Sequence, residues 1–434
     1  MAAGVLARAL LPLLGLMLAP GAIASNYPAA NSYIDMHPHA DAGALAELGF
    51  PAPRTTLCMG EACPTGSTTV ASIPRAMALS SRPSAAACVN ASGQHAAMPF
   101  DIDGNCISDI FWMNDQTHQF GWWLLYGAAY PNTSITRQIS QIISVAPGYW
   151  IAATGDFNND GKADLIWTSN SRDLYLWTSN GSGFDAAYIG TYPAGWTLVG
   201  AADIDGDGYD DLIWENTGAC QFGYWLMKGR QVVNRTTVNV ACGYRIVFVE
   251  TAFDSPNGTT PAIFWQGQPS QPGVDAVAPI YLWQPQGQTL NAALYGALPL
   301  NRTFVAGLTQ LETAEDALQA LTLSDTVASD TSNTMFWHWG TNMETGGEGY
   351  SSLMPGYRIV AAGHFAGYQA FNPQGNNQQI VWANSAGNLE IWTLDTSNPQ
   401  GDPLIGNWTS HNQFSLPDFP ASAGWHVVRP GVQN

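Results

Sequence analysis

Apolar residues in this chain fall into short runs separated by turn-forming residues. Ile110-Phe111-Trp112, Leu165-Ile166-Trp167 and Leu212-Ile213-Trp214 each end in tryptophan, and Trp265 and Trp382 close two more. Consecutive apolar positions over so short a span predict strands covered on both faces rather than amphipathic helices. A run that opens on glycine and an aromatic comes before most of them, as in Gly148-Tyr149-Trp150-Ile151, Gly195-Trp196-Thr197-Leu198, Gly243-Tyr244-Arg245-Ile246 and Gly356-Tyr357-Arg358-Ile359. An aromatic third run follows: Trp122-Trp123-Leu124, Leu174-Tyr175-Leu176-Trp177, Tyr224-Trp225-Leu226, Tyr281-Leu282-Trp283, Phe336-Trp337-His338-Trp339 and Leu389-Glu390-Ile391-Trp392. A weaker fourth run, such as Val232–Val240, completes the unit.

The unit recurs with a period of about 47 residues early in the chain and stretches later through insertions. Each copy is too small to bury its own apolar strands, so copies must pack on one another. Four short strands per copy at this period predict an all-β fold, a β-propeller of four-stranded blades. The tryptophans then form the core between blades. Gly424-Trp425-His426-Val427-Val428 is a first strand with nothing after it, and the copy near residue 101 lacks a first strand before it. The C-terminal strand is therefore expected to complete the first blade and clasp the ring. This count gives six blades over residues 99–434, or seven if residues 25–98 hold a degenerate one.

Between first and second strands lies a ladder of oxygen-bearing side chains. Asp101, Asp103, Asn105 and Asp109 form one, Asp156, Asn158, Asp160 and Asp164 a second, and Asp203, Asp205, Asp207 and Asp211 a third. Oxygens at positions 1, 3, 5 and 9, with a main-chain carbonyl at position 7, can wrap a hard cation, and glycine at position 6 permits the sharp turn. The spacing predicts structural calcium. Lys162 and Tyr209, at position 7, would offer only their carbonyls. In the first ladder Cys106 replaces the glycine, which predicts weaker binding or a disulfide brace in its place. The fourth copy keeps only Asp254, and the last reads His364-Phe365-Ala366-Gly367, so at most three blades are expected to hold metal.

These residues resemble the FG-GAP/VCBS repeat family, whose members form integrin-α-like propellers. The stretch from Gly195 to Trp214 is similar to the bacterial form of the repeat, as is Trp225-Leu226-Met227-Lys228-Gly229. The resemblance covers roughly residues 99–434 and implies a propeller with calcium-binding loops. Its members include adhesion proteins, lectins and non-catalytic parts of enzymes, so the fold does not fix the activity.

Composition narrows the partners. Across 434 residues, 33 Asp and Glu face 14 Lys and Arg, a formal charge of −19 that repels phosphate backbones and argues against nucleic acid. Residues 1–24 read as a secretory signal, with Arg8 ahead of the apolar Ala9–Ala19 and a small-x-small site at Ala22-Ile23-Ala24. The apolar stretch is too short for a comfortable membrane span. The mature chain is expected to be secreted, in the extracellular space, at the cell surface or in a periplasm. Six cysteines fit export. Cys220 and Cys242 both precede strands at the rim opposite the ladders, which predicts a bond between them. Cys58, Cys63, Cys88 and Cys106 allow three pairings, of which proximity favours Cys58–Cys63 with Cys88–Cys106.

No nucleophile elbow, zinc-protease helix or P-loop is present. The one local histidine cluster, His37-Pro-His39-Ala-Asp41, lies in the N-terminal extension, 25–98. Three classes follow: a binding module for an extracellular protein or carbohydrate, a lectin with several sugar sites, and an extracellular enzyme with its catalytic residues in propeller loops or in the extension. The first is favoured. Recognition is expected on the variable loops opposite the ladders, where Asn114, Asp115, His118 and Arg172 are the candidate ligand residues.

Overall fold

The computed structural model describes residues 55–59, 99–126, 135–255, 258–268, 277–284, 291–299, 302–303, 308–310, 319–322, 324–325, 333–339, 347–352, 357–365, 379–395, 407–414 and 419–428. The expected signal sequence, most of the extension with its His37 cluster, and Cys63 and Cys88 lie outside them. Among the described residues the protein is an all-β propeller whose single short 3-10 turn is Ala421–Ala423.

A strand of the extension, β1 (Thr55–Met59), comes first. The first repeat supplies β2 (Ile110–Asn114), β3 (Gln119–Tyr126) and β4 (Thr136–Ser144). The second supplies β5 (Tyr149–Gly155), β6 (Asp164–Ser169), β7 (Asp173–Ser179) and β8 (Phe184–Thr191). The third has β9 (Thr197–Ala202), β10 (Asp211–Asn216), β11 (Gln221–Lys228) and β12 (Gln231–Val240). The fourth has β13 (Arg245–Ser255), β14 (Gly258–Gln266), β15 (Val277–Trp283) and β16 (Asn291–Pro299). Then come β17 (Arg302–Thr303), β18 (Leu308–Gln310), β19 (Gln319–Thr322), β20 (Ser324–Asp325), β21 (Asn333–Trp339) and β22 (Gly347–Ser352). The last repeat has β23 (Tyr357–Gly363), β24 (Gln379–Asn384), β25 (Leu389–Asp395) and β26 (Asn407–Phe414), and β27 (Trp425–Val427) follows.

Each repeat is an antiparallel meander, as in β5-β6-β7-β8 and β23-β24-β25-β26. β17 and β20 form a separate two-stranded pair. The first sheet has the order β27-β2-β3-β4, so the C-terminal strand takes the first-strand place. Trp112 faces Val427 and Asn114 faces Trp425 in that pairing. Asn114 also gives its side-chain amide to the Ala423 carbonyl at 2.7 Å. The first repeat and the C-terminal strand are thus joined by main-chain bonds and a side-chain latch. β1 lies parallel to both β12 and β16 and joins the third and fourth meanders into one nine-stranded sheet.

Apolar contact runs from blade to blade because side chains alternate along a strand. On β3, Trp122 packs toward β6 and β7 of the second repeat, with Trp167 and Trp177. Its neighbour Trp123 packs the other way, with Ile391 and Val381 of the last repeat. Trp214 and Trp225 meet the second repeat, while Phe222 and Tyr224 meet Trp265 and Trp283 of the fourth. Trp112, Trp122, Trp123, Trp167, Trp177, Trp214, Trp225, Trp265, Trp283 and Trp382 are all almost fully buried, which assigns them to the core between blades. β5 neighbours β9, and β9 neighbours β13, so successive first strands lie side by side.

Trp425 carries much of the clasp, packing edge-on against Phe419, which stacks on Trp112. Trp425→Ala is expected to lower the unfolding free energy by about 3 to 5 kcal/mol, the range for a buried tryptophan truncated to a cavity. A denaturant titration followed by tryptophan fluorescence reads it.

Candidate metal loops

The three ladders share one hydrogen-bond pattern, written by the carboxylates at positions 1 and 9. Asp101 accepts the amides of Gly104 and Asn105 on one oxygen and that of Cys106 on the other. Asp203 does the same with Gly206, Asp207 and Gly208. Asp156 takes those of Asp160 and Gly161. Position 9 then ties loop to sheet. Asp109 accepts from Ile102 and Leu125, Asp164 from Phe157 and Ser179, and Asp211 from Ile204 and Met227, at 2.7–3.1 Å. Position 5 accepts the position-7 amide in each loop. An aspartate before a tight turn favours such local bonding over regular strand, and this is why the loops fold alike.

Position 6 is left-handed in all three, with φ of 70° at Cys106, 87° at Gly161 and 91° at Gly208. Glycine adopts this freely and cysteine does not. Cys106 holds the same conformation and is disulfide-bonded; Cys63 and Cys88, two of its candidate partners, lie outside the described residues.

The loops differ in how their carboxylates gather. One oxygen from each of Asp101, Asp103 and Asp109 lies within 4.8 Å of the others, and so it is for Asp203, Asp205 and Asp211. In the second loop the Lys162 ammonium bonds Asp160 Oδ2 at 2.8 Å. Lys162 therefore does more there than present its carbonyl. Burial pushes the Asp101 and Asp203 carboxyls up to about 7 and that of Asp156 up to about 6. Asp205 rises to about 6 through burial and the neighbouring Asp207. Asp109, Asp164 and Asp211 are held well above the carboxylate range, by burial first. Converging buried oxygens that hold a proton so firmly fit a hard divalent cation, which would supply the missing positive charge.

Position 8 was missed in the sequence. Asp210 is 4% exposed and Ser108 0% exposed, and each accepts a main-chain amide from the corresponding loop of another blade, Asp156 and His364. The legible trace was a glycine immediately before Asp156 and before His364. His364 is itself buried, and burial lowers it to about 4. On the opposite rim Asn114 is buried, and its Oδ1 caps the turn by accepting from Gln116 and Thr117. Asp115 is exposed, with His426 Nδ1 3.8 Å away. His118 is half-buried in a left-handed turn, and Arg172 bonds the Tyr192 carbonyl. On that rim too, Cys220 and Cys242 are joined, with Cα atoms 4.9 Å apart.

Without a divalent cation Asp101, Asp156 and Asp203, and with them Asp109, Asp164 and Asp211, bind protons more tightly folded than unfolded. Their contribution to stability is then full below pH about 4 and lost as pH rises through about 7. In chelator, melting temperature is expected to fall from pH 5 to pH 8, and excess calcium should remove most of that fall. Scanning calorimetry in both buffers reads it. Cys220→Ser with Cys242→Ser should cost about 3 kcal/mol, from the loop the bond closes, measurable by denaturant titration.

Residues 101–167 and 156–214 match the model of the FG-GAP-like repeat. No curated protein matches the chain. Among solved structures, a mitotic checkpoint complex is 10% identical over 62% of this chain and 80% of that chain, with a TM-score of 0.33. A Pseudomonas aeruginosa periplasmic gluconolactonase, PpgL, is 10% identical over 72% and 80%, TM-score 0.37. Dihydro-heme d1 dehydrogenase NirN in complex with DHE is 11% identical over 76% and 58%, TM-score 0.33. Likenesses this slight carry no argument about activity. The repeat match coincides with the three ladders and the tryptophan strands that follow them, so residues 101–214 are similar to the FG-GAP-like repeat.

Proposed function

We propose that this protein is a secreted or cell-surface binding module, a six-bladed propeller stabilised by calcium, that recognises an extracellular protein or glycan. The gathering of Asp203, Asp205 and Asp211 around one point, with Asp211 buried and the other two half-buried, is the observation that carries the calcium reading. Asp101, Asp103 and Asp109 support a second site, and Asp156, Asn158, Asp160 and Asp164 a third once Lys162 swings aside. Asn105, Asp207 and the carbonyl at position 7 complete the ligand sets. In this role calcium is structural: it binds the folded loops and stabilises them by mass action.

The ladder rim is committed to turns and metal. Partner recognition is assigned to the opposite rim, on Asp115, His118 and Arg172. Asn114 supports that surface from behind, since its amide is spent on the clasp. A lectin and an enzyme with loop catalysis are the competing classes.

Asp115→Ala, His118→Ala and Arg172→Ala together are expected to abolish capture of the partner and leave calcium-dependent melting unchanged. Glycan-array binding and cell-surface capture read the first, calorimetry the second. Loss of binding only from ladder-rim surface substitutions would place recognition on the other face.

A further inference from the structure

The residue at position 8 of a ladder reaches across to position 1 of the ladder in the preceding blade. The Asp210 amide donates to the Asp156 carbonyl at 2.9 Å, and the Asp156 amide donates back to Asp210 Oδ2 at 2.6 Å. Beside this pair, the Gly229 amide donates to the Phe157 carbonyl at 2.8 Å. The same exchange closes the ring. The Ser108 amide donates to the His364 carbonyl at 3.1 Å, and the His364 amide donates to Ser108 Oγ at 2.8 Å.

Glycine makes room for it. A Cβ on Gly155 would stand 2.6 Å from Asp210 Oδ2, and one on Gly363 would stand 2.7 Å from Ser108 Oγ. Between the first and second ladders position 8 is Ala163, which has only its amide to give, to the Asp101 carbonyl. There the residue before Asp101 is Phe100, not glycine. The oxygen at position 8 and the glycine across the junction are present together or absent together.

We propose that Asp210 is a positioning residue that couples the second and third cation loops, so that filling one favours filling the other. The proposal rests on the calcium reading. Asp210 sits between Tyr209, whose carbonyl is a ligand candidate, and Asp211, whose carboxylate is another. Asp156 is the first ligand of the second loop. A cation that fixes positions 7 and 9 of the third loop fixes the Asp210 main chain, and two hydrogen bonds pass that order to Asp156 with no flexible segment between. The coupling is reciprocal, because each ion changes the other's affinity by the same factor. The first and second loops, joined through Ala163 by a single main-chain bond, couple less.

Calcium titration of the full chain by isothermal calorimetry, with Asp203→Ala to disable the third loop, tests it. Asp203→Ala is expected to weaken uptake by the second loop about tenfold when Asp210 is present. In an Asp210→Ala background, which keeps only the main-chain bond, the same change should weaken the second loop much less than tenfold. Asp210→Asn, whose amide oxygen can still accept the Asp156 N–H, should restore the coupling. If Asp210→Ala does not fold, the wild-type comparison alone decides: a second loop indifferent to Asp203→Ala refutes the coupling. An equal shift with and without Asp210 also refutes it, and in both cases calcium binding itself stands. No calcium uptake by the wild-type chain overturns the calcium reading and the coupling together.

Discussion

Burying a carboxylate costs several kcal/mol unless donors and positive charge replace its water, and each ladder of this propeller buries at least two. Main-chain amides meet part of the demand: three converge on Asp101 and three on Asp203. They shape the loop before any ion arrives, since the turn is the set of amides that the position-1 carboxylate can reach. They leave the net charge unbalanced, and the raised affinity of these groups for protons expresses it. On the proposed reading, a divalent cation would take the place that the proton takes in its absence. Lys162 offers the second loop a partial substitute, an ammonium on Asp160.

The ladders stand where blades meet, so their chemistry bears on the ring. Position 9 ties each loop to the third strand of its own blade, and position 8 ties it to the blade before. Under the loops, tryptophans on alternate faces of the middle strands fill each interface. Each interface needs its neighbour, and the last repeat packs on the first through Phe365, Val381 and Ile391 against Trp112 and Trp123. The ring closes in three ways at once: by the β27–β2 pairing, by the Asn114 latch and by the Ser108–His364 exchange.

Much of this was legible because the repeat writes the same physics several times. Trp167 and Trp214 mark second strands, the spacing from Asp156 to Asp164 marks a loop, and Gly424-Trp425 without a ladder marks a clasp. What depends on contact between repeats was not legible. Asp210 is one more acid in an acidic run until Gly155 of another blade is seen against it. Asn114 looks like a polar loop residue until Ala423, distant in sequence, accepts its amide. β1 lies in a segment with no repeat pattern, and its pairing with β12 and β16 uses main-chain groups that side-chain patterns do not report. In the first loop Cys106 stands where the other two ladders have glycine, and the chain there takes the left-handed turn all the same.

The most direct test of a calcium-stabilised ring is bound metal itself. Native mass spectrometry of the chain, dialysed against calcium and then desalted, should show discrete bound calcium, with Asp203→Ala and Asp101→Ala each removing one ion. A wild-type chain that carries no calcium under those conditions, and whose mass is unchanged by calcium, would contradict the account.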